Sequence, residues 1–312
     1  MRIAFFGTPE PAVPYLDALV DAGHEVVAVV TQPDRPAGRG REPRPSPVKQ
    51  RALGLVLPVL TPEDARDPEF VAAIAQVSPE LGVVVAYGEI LGRSLLELPP
   101  HGLVNVHYSL LPQLRGAAPV HGALLQGLER TGVTVQYMAR KLDAGDILLQ
   151  REIEIGEDDN RGTLMERLTT IGVPALREAV RLLETGSAPR VPQDHERATY
   201  VGRVETGDCR IDWSRPADGI RRLVRACTPW PGAWCLLSGQ RVKVQDVSVV
   251  QNVLREEGRA GRIVELPTGG GPIVLAGEGA LQIRALQPAG KRSMSGEEFL
   301  RGARLARGDS FD

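Results

Sequence analysis

The side chains in this sequence best suited to chemistry are Asn105 and His107, in the run Gly102-Leu103-Val104-Asn105-Val106-His107. The run is apolar up to the asparagine, so it reads as a covered strand with the pair at its C-terminal end. Ligands of open α/β sheets bind just beyond such ends. Residues i and i+2 of a strand project from one face, which sets the amide and the imidazole side by side. An amide donor beside a group titrating near neutrality can stabilise an oxyanion and move a proton. In the segment that follows, Ser109 to Pro119, Pro112, Gly116 and Pro119 forbid regular structure and leave a stiff loop carrying Arg115 as a candidate ligand wall. Further on, Leu142-Asp143-Ala144-Gly145-Asp146 offers two carboxylates. Either could orient His107 or take a proton through water, and either could serve turn geometry instead. Spacing does not choose between them.

Other chemistry finds little footing. The first strand–helix turn is Gly7-Thr8-Pro9, with no G-x-G-x-x-G and nowhere a G-x-x-x-x-G-K-[ST]. Without those glycines the backbone cannot approach a phosphate closely, which argues against a dehydrogenase or a P-loop enzyme. Basic residues collect elsewhere. Between Pro33 and Arg51 stand Arg35, Arg39, Arg41, Arg44, Lys49 and Arg51 against Asp34 and Glu42, a net of +4 in 19 residues. Pro33, Pro36, Pro43 and Pro45, with Gly38 and Gly40, make much of it a non-helical projection, a candidate phosphate-binding arm. A second cationic group, Arg221, Arg222 and Arg225, falls on one side of a helix expected near 216–226. Arg241, Lys243, Lys291 and Arg292 lie in the same region, and Trp213, Trp230 and Trp234 read as core residues rather than base-stacking platforms.

The elements that must hold these residues fall into two sets. Apolar runs at 2–6, 26–30, 56–60, 81–86 and 102–107, alternating with helical patterns such as the one near 62–77, predict a doubly wound, Rossmann-like α/β domain. Strands at 131–138 and 146–155 joined by the Asp-bearing turn predict a hairpin, and a helix over 161–185 closes the domain. The expected boundaries are a first domain at 1–186, a linker at 187–205 and a second domain at 206–312. Beyond its helix, the second domain has short strand-like runs at 232–237, 241–249, 262–265, 272–276 and 281–285, which suggest a small OB-like β-barrel. A hydrophobic share of 42% in 312 residues excludes a disordered chain. No apolar stretch approaches the ~18 residues of a membrane span. Cys209, Cys227 and Cys235 are odd in number without a C-x-x-C, which supports neither a disulfide framework nor a zinc site. A reducing, cytoplasmic setting is expected. The net charge of −2 conceals a division: residues 1–205 carry 21 basic and 27 acidic groups, residues 206–312 carry 16 and 12. Those are nets of −6 and +4, an asymmetry that points to nucleic-acid contact.

Taken together, Asn105-x-His107, Ser109-Leu110-Leu111-Pro112-x-x-Arg115-Gly116 and Leu142-Asp143-x-Gly145-Asp146 resemble the signature of the folate-dependent formyltransferases. The resemblance implies a catalytic set of Asn105, His107 and Asp143, which selects Asp143 over Asp146. It implies 10-formyltetrahydrofolate as formyl donor, no metal, and a folate site at Ser109, Leu110, Leu111 and Pro112 with Tyr87, Gly88 and Ile90. Val29 to Gly40, Thr228-Pro229-Trp230-Pro231-Gly232-Ala233 and Gln287 to Met294 are similar to the branch that acts on methionyl initiator tRNA. That likeness implies formylation of the methionine α-amino group for translation initiation. Arg35, Arg39, Arg41, Arg44, Lys49, Arg221, Arg222 and Arg225 would then bind tRNA, on a monomer with no membrane partner. A sugar-nucleotide acceptor, or a non-catalytic RNA-binding protein, are the competing readings. The chain departs from the pattern at Tyr108, usually small, at Gln113-Leu114, usually basic–aromatic, and at Glu89, where Gln is frequent.

Overall fold

The computed structural model describes residues 1–37, 42–250 and 259–312. The chain divides into two compact units, Met1–Pro119 with Arg130–Glu154 and Met165–Gly202, and Val120–Glu129 with Ile155–Leu164 and Arg203–Asp312. In chain order the elements are β1 (Arg2–Gly7), α1 (Val13–Asp21), β2 (Glu25–Val30), β3 (Arg35–Ala37), β4 (Glu42–Arg44), α2 (Pro47–Gly54), β5 (Val59–Leu60), α3 (Pro68–Gln76), β6 (Leu81–Val85) and α4 (Arg93–Leu96). There follow β7 (Leu103–His107), β8 (Arg115–Gly116), α5 (Pro119–Gln126), β9 (Arg130–Tyr137), β10 (Ile147–Glu154), α6 (Arg161–Glu184) and β11 (Tyr200–Val201). The second unit continues with α7 (Ala217–Cys227), β12 (Ala233–Leu237), β13 (Gln240–Val250), β14 (Ile263–Glu265), β15 (Ile273–Leu275), β16 (Ala280–Pro288), β17 (Met294–Ser295) and α8 (Gly296–Gly302).

Among the described residues the first unit is built on a seven-stranded sheet in the order β10-β9-β7-β6-β1-β2-β5. The central strands pair in parallel, and β9 and β10 run antiparallel at one edge. Continuous apolar runs require both faces to be covered, and Ile3, Phe5, Val29, Val30, Leu81 and Val83 are at most 1% exposed. On α1, Leu16 and Leu19 are fully buried, each stabilising the fold by about 1.5–3 kcal/mol. From β1 the chain moves to β2 and β5 on one side and returns to β6 and β7 on the other. That reversal opens a crevice at the strand ends, where Thr8 Oγ1 and Gln32 Nε2 both donate to the Tyr87 carbonyl at 3.0 and 3.1 Å.

Several boundaries differ from expectation. The helix expected near 62–77 begins only at Pro68, where Asp67 caps it by accepting from the Glu69 N–H at 2.9 Å. The strand expected at 56–60 shrinks to Val59–Leu60, because Val56 takes a φ of +57° and is 91% exposed. The projection at 33–51 is part ribbon, β3 against β4, and part helix: Ser46 caps α2, which carries Lys49 and Arg51. Residues 187–202 are joined to the first unit, with β11 pairing parallel to β8.

The second unit holds, among the described residues, a six-stranded antiparallel sheet in the order β12-β13-β16-β15-β14, with β17 on β16. Along β13 the buried positions run Val242, Val244, then Val247, because the register shifts around Asp246 and the two-residue period slips by one. The C-terminal residues bridge both edges: Leu236 exchanges backbone hydrogen bonds with Asp312, and Gly261 accepts from Phe311. The sheet is thereby closed as a small barrel over Ile211, Trp213, Ile220, Val224, Val244, Leu281, Ile283 and Phe311. Of the tryptophans expected in that core, Trp213 is buried, Trp234 is half-buried, and Trp230 is 62% exposed. All three cysteines are free and buried, with Cys227 beside Cys209, and burial pushes the Cys235 thiol up to about 12. Among the described residues no helix is long and apolar enough to cross a membrane.

Candidate active site

At the C-terminal end of β7, His107 is 6% exposed and Asn105 is half-buried, their side chains on one face as the strand period requires. His107 Nε2 lies 2.9 Å from the Leu114 carbonyl oxygen. A carbonyl only accepts, so Nε2 donates its hydrogen there, and in the neutral tautomer Nδ1 carries the lone pair. Nδ1 is 3.8 Å from Asp143 Oδ2, within reach of an ion pair once protonated but too long for a hydrogen bond. Leu114, one of the departures from the family pattern, can offer this carbonyl because its φ is +57°. The imidazole is therefore held by a loop carbonyl rather than by the carboxylate.

Asp143 is held in its turn. Its Oδ2 accepts from the Gly116 N–H at 2.8 Å and its Oδ1 from Gln136 Nε2 at 3.1 Å. Gln136 stands directly opposite Asn105 in the β7–β9 register, so strand pairing places amide, imidazole and carboxylate anchor on one patch. Asp146 is turned away and pairs with Arg190 at 4.0 Å. The Asn105 side chain has no hydrogen-bond partner among the described residues and is left open to a ligand.

The loop after His107 is pinned from the sheet. Thr134 Oγ1 donates to the Ser109 carbonyl at 2.7 Å and accepts from the Leu111 N–H at 3.1 Å, while Gln150 Nε2 donates to the Leu111 carbonyl at 3.0 Å. Ser109 is fully buried and spends its hydroxyl on the Gln113 carbonyl at 2.6 Å, so it shapes the loop rather than offering a ligand contact. Leu111 is buried, and Leu110 and Pro112 are half-buried. Across the crevice Tyr87 is 2% exposed, its hydroxyl has no partner among the described residues, and burial pushes its pKa up to about 12. Gly88 presents bare backbone at a φ of +89°, and Ile90 is 77% exposed. Tyr108 is buried, packs on Tyr15 at 6.4 Å between ring centroids and shares a hydrogen with Thr169 at 2.8 Å.

Arg115, carried by the loop expected as a ligand wall, has a fully buried side chain. Its guanidinium donates twice to Gln193 Oε1, at 2.6 and 3.1 Å, once to the Tyr200 hydroxyl at 3.1 Å and once to His195 Nδ1 at 2.9 Å. Gln193 Nε2 donates onward to the Asp143 and Gly145 carbonyls at 2.9 and 2.7 Å. Arg115 thus locks the turn that bears Asp143. Thr134, Gln136, Gln150 and Gln193 escaped sequence reading. The first two carried a usable signal, since polar residues on a strand covered on both faces need partners.

The cationic residues are scattered in role. Arg35 and Arg44 are exposed and directly opposed across β3–β4. Arg39 and Arg41 lie outside the described residues. Lys49 pairs with Asp34 at 2.8 Å. Arg222 is exposed, Arg221 reaches Asp218 at 3.9 Å, and Arg225 donates to the Asp159 and Gly156 carbonyls, each at 2.6 Å.

Comparison with known proteins identifies the family. Residues 1–180 match the formyl transferase family and residues 203–304 the formyl transferase C-terminal domain. A methionyl-tRNA formyltransferase of Moorella thermoacetica is 45% identical over 309 residues, covering 99% of this chain and 98% of that protein. The Bacillus subtilis protein of the same name is 42% identical, covering 99% and 96%. Among solved structures, HypX from Aquifex aeolicus in complex with tetrahydrofolic acid shares the fold with a TM-score of 0.67 at 17% identity. It is matched over 100% of this chain, which spans only 50% of it. The sugar 3N-formyl transferase WlaRD has a TM-score of 0.66 at 17% identity, over 94% of this chain and 99% of that one.

Proposed function

We infer the function from one premise: this chain belongs to the formyl transferase family. The closest fit to its site and to relatives matched over nearly their whole length is methionyl-tRNA formyltransferase, which moves the formyl group of 10-formyltetrahydrofolate to the α-amino group of methionyl initiator tRNA. The observation that carries this reading is Asn105, an unspent amide beside a buried imidazole whose Nδ1 faces an anchored carboxylate.

The folate donor supplies an activated formyl carbon on a nitrogen leaving group. The residues fit such a group: an exposed apolar side chain at Ile90, bare backbone at Gly88 and the pinned turn at Leu110–Pro112 suit a flat ring system with amide edges. As the methionine amine attacks the formyl carbon, negative charge grows on the formyl oxygen, and the Asn105 amide donates to it. His107 Nδ1 takes the proton that the amine loses. Asp143, held in place by the Gly116 N–H and the Gln136 amide, faces the resulting imidazolium at 3.8 Å. The proton ends on the departing folate nitrogen.

Arg35, Arg39, Arg41, Arg44, Lys49, Arg221 and Arg222 remain the proposed tRNA contacts, while Arg225 is spent on the Asp159 and Gly156 carbonyls. Arg35, Arg44 and Arg222 have the exposure to act as phosphate ligands in the free protein. The second domain, taken from residue 206, carries the excess of positive charge. We place the enzyme in the cytoplasm, a reading that three free cysteines support, and propose that it acts as a monomer. The deciding measurement is formyl transfer from 10-formyltetrahydrofolate to charged initiator tRNA beside charged elongator tRNA. Asn105→Ala should lower kcat by about 10²–10³ with little change in KM. Wild-type turnover in that variant would end the assignment.

A further inference from the structure

The loop between α7 and β12, Thr228-Pro229-Trp230-Pro231-Gly232, presents an aromatic side chain that the fold does not use. Trp230 is 62% exposed, more than Tyr200 at 55%. An indole left in water forgoes its burial energy, and here it is held out on a fixed support. Gly232 N–H donates to the Cys227 carbonyl at 2.9 Å, and Thr228 Oγ1 to the Val224 and Gln245 carbonyls at 2.8 and 3.1 Å. The Gly162 N–H at the start of α6 donates to the Thr228 carbonyl at 3.2 Å. The fit is close there, for a Cβ on Gly162 would lie 2.9 Å from Pro229 Cδ.

One cation lies over the ring and a second is held at the next residue of the loop. The Arg161 guanidinium lies 5.8 Å from the indole centroid, and its NH1 approaches the Trp230 carbonyl at 3.5 Å. Among the described residues no carboxylate pairs with Arg161, and burial pulls its pKa down from the ordinary arginine value. A partly desolvated cation without a counter-ion gains most from an anion brought to it. Lys243 Nζ donates to the Pro231 carbonyl at 3.0 Å and keeps its other hydrogens for another partner. An open aromatic face beside unneutralised cations matches one chemical class above others: an unpaired nucleotide, with its base on the indole and its phosphate on the guanidinium.

We propose that Trp230, backed by Arg161 and Lys243, is a stacking platform for an unpaired nucleotide of the acceptor tRNA's single-stranded 3′ end. The proposal rests on the tRNA reading above. Because the loop is already fixed, binding spends little on ordering the platform, and the contact should act on affinity rather than on the chemical step.

The test uses the full-length enzyme and two RNA hairpins with the same stem, one ending in an unpaired 3′ tail and one blunt. Tryptophan emission should be quenched by the tailed hairpin and not by the blunt one, and Trp230→Ala should abolish that difference. With charged initiator tRNA, Trp230→Ala should raise KM about tenfold at unchanged kcat, and Trp230→Phe should restore most of the loss. Arg161→Gln should raise KM and flatten its dependence on salt. Equal quenching by both hairpins, an unchanged KM in Trp230→Ala, or a fall in melting temperature that Trp230→Phe does not repair would each overturn the proposal. Failure of formyl transfer by the unaltered enzyme would instead overturn the functional reading, which the hairpin titration does not involve.

Discussion

At the scale of single residues, the site sets an Asn105 amide without a partner among the described residues beside a histidine and a carboxylate that are each held by hydrogen bonds. Gly116 shows how tightly this is drawn. Its φ is +110°, and a Cβ would stand 2.3 Å from the Val201 carbonyl oxygen while its N–H serves Asp143. Gly116→Ala should therefore cost about 1–3 kcal/mol of stability, readable as a lower urea midpoint. It should also depress kcat by releasing the carboxylate. A variant with full stability and full turnover would show that the left-handed turn is dispensable. The pairing of Asn105 with His107 was legible in the sequence because a two-residue period needs no knowledge of the fold. Spacing left Asp143 and Asp146 tied, since both sit in one turn; the motif resemblance chose Asp143, and the path of the backbone turns that carboxylate to the histidine.

Elements add constraints that no single residue reveals. Arg115 reads as a loop arginine in sequence, yet it binds the segment around Gln193, 78 positions away, to the turn at Asp143. Arg115→Met should leave the Gln193 acceptor buried and unpaired, lowering stability by about 3 kcal/mol and reducing kcat together with it. A silent substitution would mean that 193–201 is held by other contacts. In the second unit His121 on α5 is buried, with Nδ1 2.9 Å from the Ala226 carbonyl. Burial pulls its pKa below the ordinary 6.5. The unfolded chain then takes up the proton first as pH falls, so stability is complete above about 6.5 and is lost on acidification. His24, whose pKa burial also lowers, adds to the same slope. Urea midpoints at pH 7.5 and 5.5 should show the decline, and His121→Gln should make it shallower; an identical slope would acquit His121. Among elements, the long apolar strands and α6 were plain from periodicity. The ribbon β3–β4 and the short β8–β11 pair were not, because proline-rich stretches this brief carry no period to read.

For the whole molecule, charge is the property that composition misstates. A net of −2 divides into −6 and +4, and the exposed arginines Arg35, Arg44 and Arg222 belong to local patches that the total cancels. Electrostatic recognition of a polyanion depends on the patch. Replacing Arg35, Arg44 and Arg222 with Gln one at a time should each reduce the salt slope of tRNA binding by about 1 and leave kcat at saturating tRNA unchanged. Arg225→Gln should instead act on stability, because its guanidinium is spent on the Asp159 and Gly156 carbonyls. The sequence by itself determined the doubly wound class, the strand end that carries Asn105 and His107, and the resemblance that singled out Asp143, since all three depend on order and spacing along the chain. Only the tertiary structure decided that Leu114 rather than Asp143 holds the imidazole, that Arg115 is buried, that Arg225 is occupied and that Trp230 is exposed. Those outcomes turn on which distant groups meet in space, and a hydrogen bond or a buried surface is a property of that meeting rather than of either residue alone.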